Sequence, residues 1–300
     1  MKEFADRVAI VTGGASGIGR ALCEELARRR AIVVVADLNG EEALAVAQGL
    51  TKAGGSAWAA PVDVSSQENL ESLVREVIRR HGRIDLMFNN AGIGWSGDFR
   101  EMPATHTDRV VGINLLGVLH GTAAVYRHMV ERGSGHIVNT SSFFSGLVPV
   151  PGMSVYTATK HAIVGFSLAL RDEARSLGVD VSVVCPSFIR SNIDANSDFI
   201  LRGRSAPANA AAPRHTLDAA AVARRVLSGI SRNQAVIIMP SFARLLWWLY
   251  RAAPRLFLAL QRSVVMGKKL RRRRRSKLGS ALLAPARWLY KVMTRGARTR

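Results

Sequence analysis

The chain has 300 residues, of which 48% are hydrophobic and 21% charged, so it can bury a large core and is not a disordered protein. Two cysteines are too few for a disulfide scaffold or a structural zinc site, which favours a reducing compartment. The formal net charge of +20 is uneven, because residues 1–240 hold 25 Lys/Arg and all 22 Asp/Glu, whereas residues 241–300 hold 17 Lys/Arg and no acid. We therefore predict a near-neutral body over 1–240 and a basic tail over 241–300.

Short apolar runs rich in Val and Ile alternate with segments of helical periodicity along the body. The predicted strands are 7–12, 31–36, 57–62, 84–88, 136–140, 179–185 and 235–239. The predicted helices are 17–30, 41–52, 67–80, 107–132, 154–176 and 218–231. This alternation predicts an α/β fold with one doubly wound parallel sheet of about seven strands and helices on both faces. The first apolar run is short and enters a glycine-rich turn, so we expect no secretory signal and a cytoplasmic protein.

The turn after the first predicted strand has the composition of a phosphate-binding loop. Gly13, Gly17 and Gly19 lack side chains, so the backbone can approach a pyrophosphate at the start of the next helix, beside Ser16 and Ile18. Asp37 and Leu38 follow the second strand about 20 residues later, where a Rossmann-type fold recognises the ribose. A carboxylate accepts hydrogen bonds from a 2′-hydroxyl and repels a 2′-phosphate, so Asp37 favours NAD over NADP.

Several further motifs, in order along 1–240, resemble those of the short-chain dehydrogenase/reductase family. They are TGGASGIG at 12–19, Asp63 with Val64, NNAG at 89–92, Asn114 in INLLG, Tyr156 with Lys160 as YxxxK, and Pro186. The resemblance implies a Rossmann-type fold and an NAD(P)-dependent oxidoreductase, with dimers or tetramers common. It also implies further cofactor contacts at Asp63, Val64, Asn90, Ala91, Gly92, Tyr156, Lys160, Pro186, Ile189 and Ser191.

The Tyr156–Lys160 pair can carry acid–base chemistry. Residues four apart share one helix face, which also describes an ordinary surface pair. A phenol of pKa about 10 is a poor base at neutral pH, but a nearby ammonium and an oxidised nicotinamide can lower that pKa by roughly 1–3 units. Tyr156 would then act as base towards an alcohol or acid towards a ketone, while Lys160 also holds the ribose and Asn114 holds a water that relays protons from Lys160.

The serine loop at 140–146 departs from the family pattern. The family commonly has a serine thirteen residues before the tyrosine, and that position here is Phe143. Strand register from Ile137 and Val138 indicates Ser142 instead, with Ser141 as the alternative. Ser142 is therefore the predicted hydrogen-bond donor to the substrate oxygen. Ser187 after Pro186 is a second departure, since the family usually has glycine there.

Apolar residues in loops at the expected ligand-binding edge of the sheet suggest a lipophilic alcohol or ketone, although packing explains many of them equally well. They are Trp95, Phe143, Phe144, Leu147, Met153, Phe188 and Phe199. Residues 194–213 suggest a flap over this pocket. His120, His136 and His161 show no metal-ligand spacing, so we expect no metal, and Cys185 is interpreted as a packing residue.

The tail begins with an amphipathic helical pattern over 241–266, kinked at Pro254. One side carries Arg244, Arg251, Arg255 and Arg262, and the other carries Phe242, Leu246, Leu249, Phe257, Leu260 and Val264. Residues 268–277 then place eight basic residues in ten. The pattern favours peripheral attachment to an anionic membrane on its cytoplasmic side. The alternatives are an apolar face that packs over the pocket or a subunit interface, and a basic run that binds nucleic acid.

The sequence as a whole predicts an NAD-dependent enzyme that interconverts a lipophilic alcohol and a ketone or aldehyde. One alternative is a cofactor-sensing binding protein on the same scaffold, which Phe143 at the serine position would favour. Another is a soluble NADP reductase whose tail serves oligomerisation.

Overall fold

The structure, a computed structural model, describes residues 2–189, 198–201, 204–205 and 216–261. For 198–201 and 204–205 it describes the backbone. All statements below concern these residues.

The main sheet has seven parallel strands, namely β1 (Val8–Thr12), β2 (Ile32–Asp37), β3 (Ser56–Pro61), β4 (Leu86–Asn89), β6 (Gly135–Thr140), β7 (Val179–Pro186) and β10 (Val236–Met239). Their order across the sheet is β10-β7-β6-β4-β1-β2-β3. Each corresponds to one predicted strand, and the predicted fold class is confirmed. A second, small sheet joins β5 (Trp95–Ser96), β8 (Asp198–Leu201) and β9 (Arg204–Ser205), which the sequence analysis did not predict.

Helices cover both faces of the main sheet. They are α1 (Gly17–Arg28), α2 (Gly40–Lys52), α3 (Gln67–His81), α4 (Ala104–Val111), α5 (Gly117–Glu131), α6 (Ser154–Ala174), α7 (Ala219–Ser231) and α8 (Ala243–Ala252). A π-helical turn, Gly112–Leu116, joins α4 to α5, so the single helix predicted over 107–132 has an irregular centre. Short 3₁₀ turns lie at Lys2–Phe4, Phe99–Glu101 and Arg175–Leu177.

Strand β1 shows why the apolar runs lack alternation: it is buried on both faces. Ala9 and Val11 pack into the core beneath α1, α2 and α7, whereas Val8 and Ile10 pack into the core beneath α3, α5 and α6. A third apolar cluster lies at the β10 edge of the sheet, where α8 joins β7, β10 and the serine loop.

The strand order reverses between β1 and β4, which lie side by side although their chain connections lead to opposite edges of the sheet. Ligands of doubly wound sheets bind at such a point, outside the carboxyl ends of the strands. This is where the glycine turn follows β1 and the NNAG motif ends β4.

One described stretch, Ala104–Glu131, is long and apolar enough to span a membrane by length and mean hydropathy alone. It comprises α4, the π turn and α5, and it packs against α3 and α6 within the fold, with Val118, Val125 and Met129 buried. We therefore interpret it as a core helix pair of the domain.

The predicted amphipathic helix of the tail is two helices, α8 and a segment over 254–261. Ala253 between them has φ −142° and ψ 68°, because the residue before a proline is disfavoured in the α-helical region. Pro254 then starts the second helix, where its missing N–H costs no hydrogen bond. Arg262 and Val264 lie outside the described residues.

Candidate active site

A threonine joins the two loops at the strand-order reversal. The Thr12 hydroxyl donates to the Phe88 carbonyl oxygen at 3.2 Å and accepts from the backbone N–H groups of Asn90 (2.9 Å) and Ala91 (3.1 Å). The Asn90 side-chain amide donates to the Thr12 carbonyl oxygen at 3.0 Å. These bonds fix the end of β1 against the NNAG loop, so both cofactor motifs form one rigid unit.

Two glycines of the turn, Gly13 and Gly19, have no space for a side chain. Gly13 has φ +64°, and a Cβ atom there would lie 3.0 Å from the Cα of Ala91. A Cβ atom at Gly19 would lie 1.9 Å from the Gly13 carbonyl oxygen, which no rearrangement of a side chain could relieve. Ser16 is the N-cap residue of α1, and its side chain makes no cap hydrogen bond. Ile18 packs into the core, so the predicted contact at this position is through its backbone.

Asp37 lies at the end of β2, beside the glycine turn. Its carboxylate accepts from the backbone N–H of Ala15 at 3.0 Å and from that of Asn39 at 3.0 Å. These bonds orient the carboxylate towards the turn while it stays partly exposed. Leu38 next to it is 73% exposed, an unusual environment for leucine that leaves an apolar surface beside the ribose position.

Asp63 and Val64, two of the predicted cofactor contacts, differ in burial. Asp63 is partly exposed, and its carboxylate accepts from the Ser65 N–H and hydroxyl at 2.9 and 2.7 Å. Val64 is buried against Gly117, where a Cβ atom would lie 2.9 Å from the valine side chain.

Gly92, Asn114 and Lys160 converge on one point. A Cβ atom at Gly92 would lie 3.2 Å from Asn114 Oδ1 and 3.5 Å from Lys160 Nζ, so these polar atoms approach the backbone directly. Asn114 is fully buried in the π-helical turn, and its side-chain amide exchanges two 2.8 Å hydrogen bonds with the backbone of Ile93. The widened turn lets a helix side chain reach the loop after β4, as π-bulges often do at functional sites.

Tyr156 and Lys160 lie on one face of α6 towards this point, and both are buried. Lys160 Nζ donates to the Thr140 carbonyl oxygen at 2.9 Å and lies 5.7 Å from the centroid of the Tyr156 ring. The Ser142 hydroxyl donates to the Phe144 carbonyl oxygen and lies close enough to Tyr156 to lower the pKa of its phenol. The structure therefore brings together four predicted catalytic residues, namely Asn114, Ser142, Tyr156 and Lys160.

Ser141, the alternative serine, has a different environment. Its hydroxyl donates to the Lys160 carbonyl oxygen at 2.7 Å, and the residue is 3% exposed. It therefore holds α6 against β6, and its hydroxyl is already engaged away from the Tyr156 side.

Burial controls the proton affinities of the pair. Desolvation raises the pKa of Tyr156 to about 12, and the neighbouring Ser142 hydroxyl opposes that rise. The predicted lowering of the Tyr156 pKa includes the charge of an oxidised nicotinamide, and it stays a prediction. Desolvation lowers the pKa of Lys160 to about 8, so the ammonium loses its proton more readily than an exposed lysine.

Phe143 does not occupy the site. Its side chain is 1% exposed in the third apolar cluster, and its N–H donates to the Pro186 carbonyl oxygen at 2.8 Å. Phe143 thus points into the core, and Ser142 lies beside Tyr156.

Three of the residues predicted to line the substrate pocket are core residues instead. Trp95 is fully buried with Val110 and Val155, and Leu147 is buried in the same cluster as Phe143. Phe144 and Met153 are partly exposed, and Phe188 is 46% exposed with its ring 5.2 Å from that of Phe144. For Phe199 the structure describes the backbone, which pairs with Ser96 in the small sheet.

The segment after β7, which holds the predicted cofactor contacts Pro186, Ile189 and Ser191, is described in part. Pro186 ends β7, and Ser187 is fixed by a 2.8 Å hydrogen bond from its N–H to the Met239 carbonyl oxygen. Ile189 forms a bridge with Leu217. Ser191 and most of the predicted flap over 194–213 lie outside the described residues.

Sequence reasoning missed three residues that support the site. Thr12 acts through its hydroxyl and Thr140 through its carbonyl oxygen, each at the end of a strand. The sequence signal that could have identified them was their position directly before the glycine turn and the serine loop. Asn139 accepts from Asn89 at 2.9 Å and donates to Ser167 at 3.0 Å, forming a buried amide chain below the site. The sequence signal that could have identified this chain of amides was the pair of polar residues at the end of each apolar strand.

These residues fit a dinucleotide. A turn without room for a Cβ at Gly13 and Gly19, the free N–H groups at the start of α1 and a carboxylate at the end of β2 match a pyrophosphate and a ribose diol.

The chain matches the family model of the short chain dehydrogenases over residues 7–198. It is 39% identical over 197 residues (65% of this chain) to a protein of Mycobacterium tuberculosis named "Probable oxidoreductase EphD", but it spans only 33% of that relative's length. It is 33% identical over 191 residues to "3beta-hydroxysteroid dehydrogenase 2" of Eggerthella lenta, covering 63% of this chain and 74% of the relative.

Two solved structures share the fold. A short chain dehydrogenase/reductase from Burkholderia phymatum in complex with NAD has a TM-score of 0.75 and 31% identity, over 85% of this chain and 96% of that one. A short-chain dehydrogenase from Sphingobium yanoikuyae in complex with NADPH has a TM-score of 0.71 and 28% identity, over 84% and 95%.

Proposed function

The chain belongs to the short chain dehydrogenase family, as its motifs predicted, and from that premise we propose that it interconverts a lipophilic alcohol and the corresponding ketone or aldehyde with NAD. It is an oxidoreductase with a nucleotide-binding fold, and its structural neighbours bind NAD or NADPH. The observation that carries the proposed reaction is the convergence of Ser142, Tyr156 and Lys160 beside the NNAG loop.

Tyr156 transfers the proton in this proposal. In the oxidation direction its phenolate accepts the proton of the substrate hydroxyl, and in the reduction direction its phenol returns that proton to the carbonyl oxygen. Ser142, the hydroxyl that lowers the pKa of Tyr156, donates a hydrogen bond to the same substrate oxygen in this proposal. A bound nicotinamide supplies hydride acceptance or donation at the carbinol carbon, together with a positive charge in its oxidised form.

Lys160 has two tasks in this mechanism. As an ammonium within reach of Tyr156 it favours the phenolate, which burial otherwise disfavours. Its bond to the Thr140 carbonyl oxygen keeps Nζ at the point above Gly92, where a ribose hydroxyl would lie. Asn114 Oδ1 lies close to the same point, and Asn114 supports the proton relay in this proposal.

Asp37 supports NAD over NADP. Its carboxylate is oriented by two backbone N–H groups beside the glycine turn and would repel a 2′-phosphate.

Partly exposed apolar side chains beside the catalytic residues support a lipophilic substrate. Phe144, Met153 and Phe188 are the ones that the structure leaves accessible there. A relative named for a hydroxysteroid agrees with this class, although it is 33% identical to this chain.

We also propose that the basic tail attaches the enzyme to the cytoplasmic side of an anionic membrane, where such substrates concentrate. Its support is the cationic composition of 241–300, which contains no acid to offset 17 Lys/Arg. A homo-oligomer remains the proposed assembly of the body.

No observation favours the cofactor-sensing alternative. Its only support was Phe143 at the serine position, and that side chain is buried in the core while Ser142 lies beside Tyr156.

The test is reduction of NAD and of NADP by secondary alcohols of increasing chain length, followed by the absorbance of the reduced cofactor. We expect turnover with NAD that rises with chain length, and weaker turnover with NADP. Preference for NADP would overturn the role of Asp37, and turnover that falls with chain length would overturn the lipophilic substrate.

A further inference from the structure

The outward side of the C-terminal helices combines exposed apolar and cationic side chains. Leu245, Trp248 and Leu256 are 59%, 62% and 62% exposed, which places them among the most exposed large hydrophobic residues that the structure describes. Arg244, Arg251 and Arg255 lie exposed among them. We call this set of six residues the outer face.

The inner side of the same helices is occupied by the body. Ala243, Leu246 and Phe257 are buried in the third apolar cluster with Phe143 and Val148. Gln261 Nε2 donates to the Pro149 carbonyl oxygen at 2.9 Å, which fixes the second helix to the body. The apolar side that the periodicity assigned to a membrane is therefore covered, and the outer face is what these helices present to solvent.

A cleft of about 410 Å³ opens on the outer face, lined by Trp247, Trp248, Arg251 and Ala252. The Arg251 guanidinium lies 5.3 Å from the centroid of the Trp247 ring, so it is held over an aromatic surface. A guanidinium over one indole, in a cleft that a second indole also lines, offers a charged, bidentate donor for a phosphate and apolar walls for the adjoining glycerol and acyl carbons.

We propose that the outer face is the surface by which this protein docks on an anionic phospholipid membrane, with one headgroup phosphate in the Arg251 cleft. This inference rests on the membrane attachment proposed above and assigns it to particular residues. Tryptophan and leucine enter the boundary between headgroups and acyl chains, while neighbouring arginines pair with phosphates.

Charge and composition favour lipid over the other occupants. A second copy of the same face would bring the arginines of two molecules together, and residues 241–300 contain no acid to pair with them. Nucleic acid would explain the arginines but would leave Leu245 and Leu256 in water. The surface is continuous along the chain with residues 262–300, which carry the rest of the tail's cations.

Docking by this face would bring the site close to the membrane. The inner side of α8 shares its cluster with Phe143 and Phe144, and the Phe144 ring lies 5.2 Å from that of exposed Phe188. The proposed entrance for a lipophilic substrate would therefore lie beside the docked surface.

The experiment is co-sedimentation of the full chain with phosphatidylcholine vesicles, with and without phosphatidylglycerol. We expect Leu245→Ser with Trp248→Ser, and separately Arg251→Gln with Arg255→Gln, to weaken binding to the anionic vesicles by about tenfold or more. Leu44→Ser and Leu177→Ser are the matched apolar control, and Arg75→Gln with Arg127→Gln is the matched charge control. These controls change exposed residues elsewhere and should bind as the unmodified protein does.

Binding of both outer-face variants at the unmodified level would overturn the inference while leaving attachment by 262–300 intact. If the variants change the size of the protein in gel filtration instead, the face is an interface between copies and the inference is also overturned. Absence of vesicle binding by the unmodified chain would overturn this inference and the membrane proposal together, whereas the dehydrogenase proposal would stand on its own turnover assay.

Discussion

Two adjacent serines show how a single residue's environment assigns its role. The Ser142 hydroxyl lies near Tyr156 and lowers the pKa of its phenol, whereas the buried Ser141 hydroxyl donates to the Lys160 carbonyl oxygen. The sequence favoured Ser142 from strand register and kept Ser141 as the alternative, because a one-residue irregularity in a loop does not reveal which side chain turns inward. Phe143 decides the matter through packing, since its ring fills the third apolar cluster.

We expect Ser142→Ala to lower kcat by about 100-fold, because it removes a donor to the reacting oxygen. Ser141→Ala should keep most of the activity and lower the free energy of unfolding by about 1 kcal/mol, because it removes a buried hydrogen bond. Initial rates and urea unfolding of both variants measure these effects. The reverse pattern, with activity lost in Ser141→Ala, would make Ser141 the substrate donor.

His136 makes the fold sensitive to acid. Its Nε2 lies 2.8 Å from the Ser182 hydroxyl, which itself donates to the Gln234 carbonyl oxygen, so the imidazole must donate its proton to Ser182. Desolvation lowers the pKa of His136 to about 4; Asp180 opposes the shift, and Arg171 and Arg7 support it. In the unfolded chain the imidazole takes up its second proton near pH 6.5, whereas in the folded protein it does so only near pH 4.

The stabilisation from His136 is therefore complete above about pH 6.5 and is lost as the pH falls towards about 4. We expect His136→Gln, which can still donate to Ser182, to lose less stability than the unmodified protein over that interval. The difference should be on the order of a few kcal/mol. Thermal unfolding across this pH range provides the measurement, and equal acid sensitivity of the two proteins would contradict the assignment.

At the scale of elements, periodicity predicted the strands of the main sheet because most of them are buried on both faces and carry a continuous apolar run. Strand β3 at the edge of the sheet is partly exposed. The short strands β5, β8 and β9 have two to four residues, too few for a pattern, and the sequence analysis missed them. Asn114 was identified by motif, but the π turn that orients it depends on packing between α4, α5 and the loop after β4.

The C-terminal helices support the serine loop. Phe257 is 6% exposed, its ring lies 5.5 Å from that of Tyr250, and it shares its cluster with Phe143, the residue after Ser142. We expect Phe257→Ala to destabilise the protein by about 3 kcal/mol and to lower kcat, because the cavity loosens the loop that holds Ser142. Phe257→Leu should restore most of both.

Urea unfolding and kcat with a short, water-soluble alcohol measure this effect. Leu256→Ala is the matched control, because that neighbouring side chain is 62% exposed and packs little. Equal losses in the two alanine variants would mean that Phe257 does not support the loop.

For the whole molecule, the boundary between body and tail that charge predicts differs from the boundary that packing shows. Charge changes at residue 240, which predicted a separate tail from 241. Residues 243–261 nevertheless pack on the body through Leu246, Phe257 and the Gln261 bond to Pro149. Charge counting did not indicate this packing, because the same apolar side could cover the body or enter a membrane.

We expect a chain ending at residue 261 to keep the stability and the turnover of the full chain with a water-soluble alcohol. A chain ending at residue 240 should be destabilised by several kcal/mol, because it exposes apolar residues that the C-terminal helices cover. Thermal unfolding of the two truncated chains tests this. Unchanged stability of the shorter one would show that the packing of α8 contributes nothing to the fold.

The central claim is that Tyr156 transfers the proton that accompanies hydride transfer. The most direct measurement compares the unmodified protein with Tyr156→Phe, which keeps the ring and removes the hydroxyl, for reduction of NAD by a secondary alcohol and for NAD binding by calorimetry. The account predicts that NAD binding survives within a few-fold while turnover falls by about 100-fold or more. Turnover close to that of the unmodified protein would contradict the assignment of Tyr156 and with it the proposed mechanism.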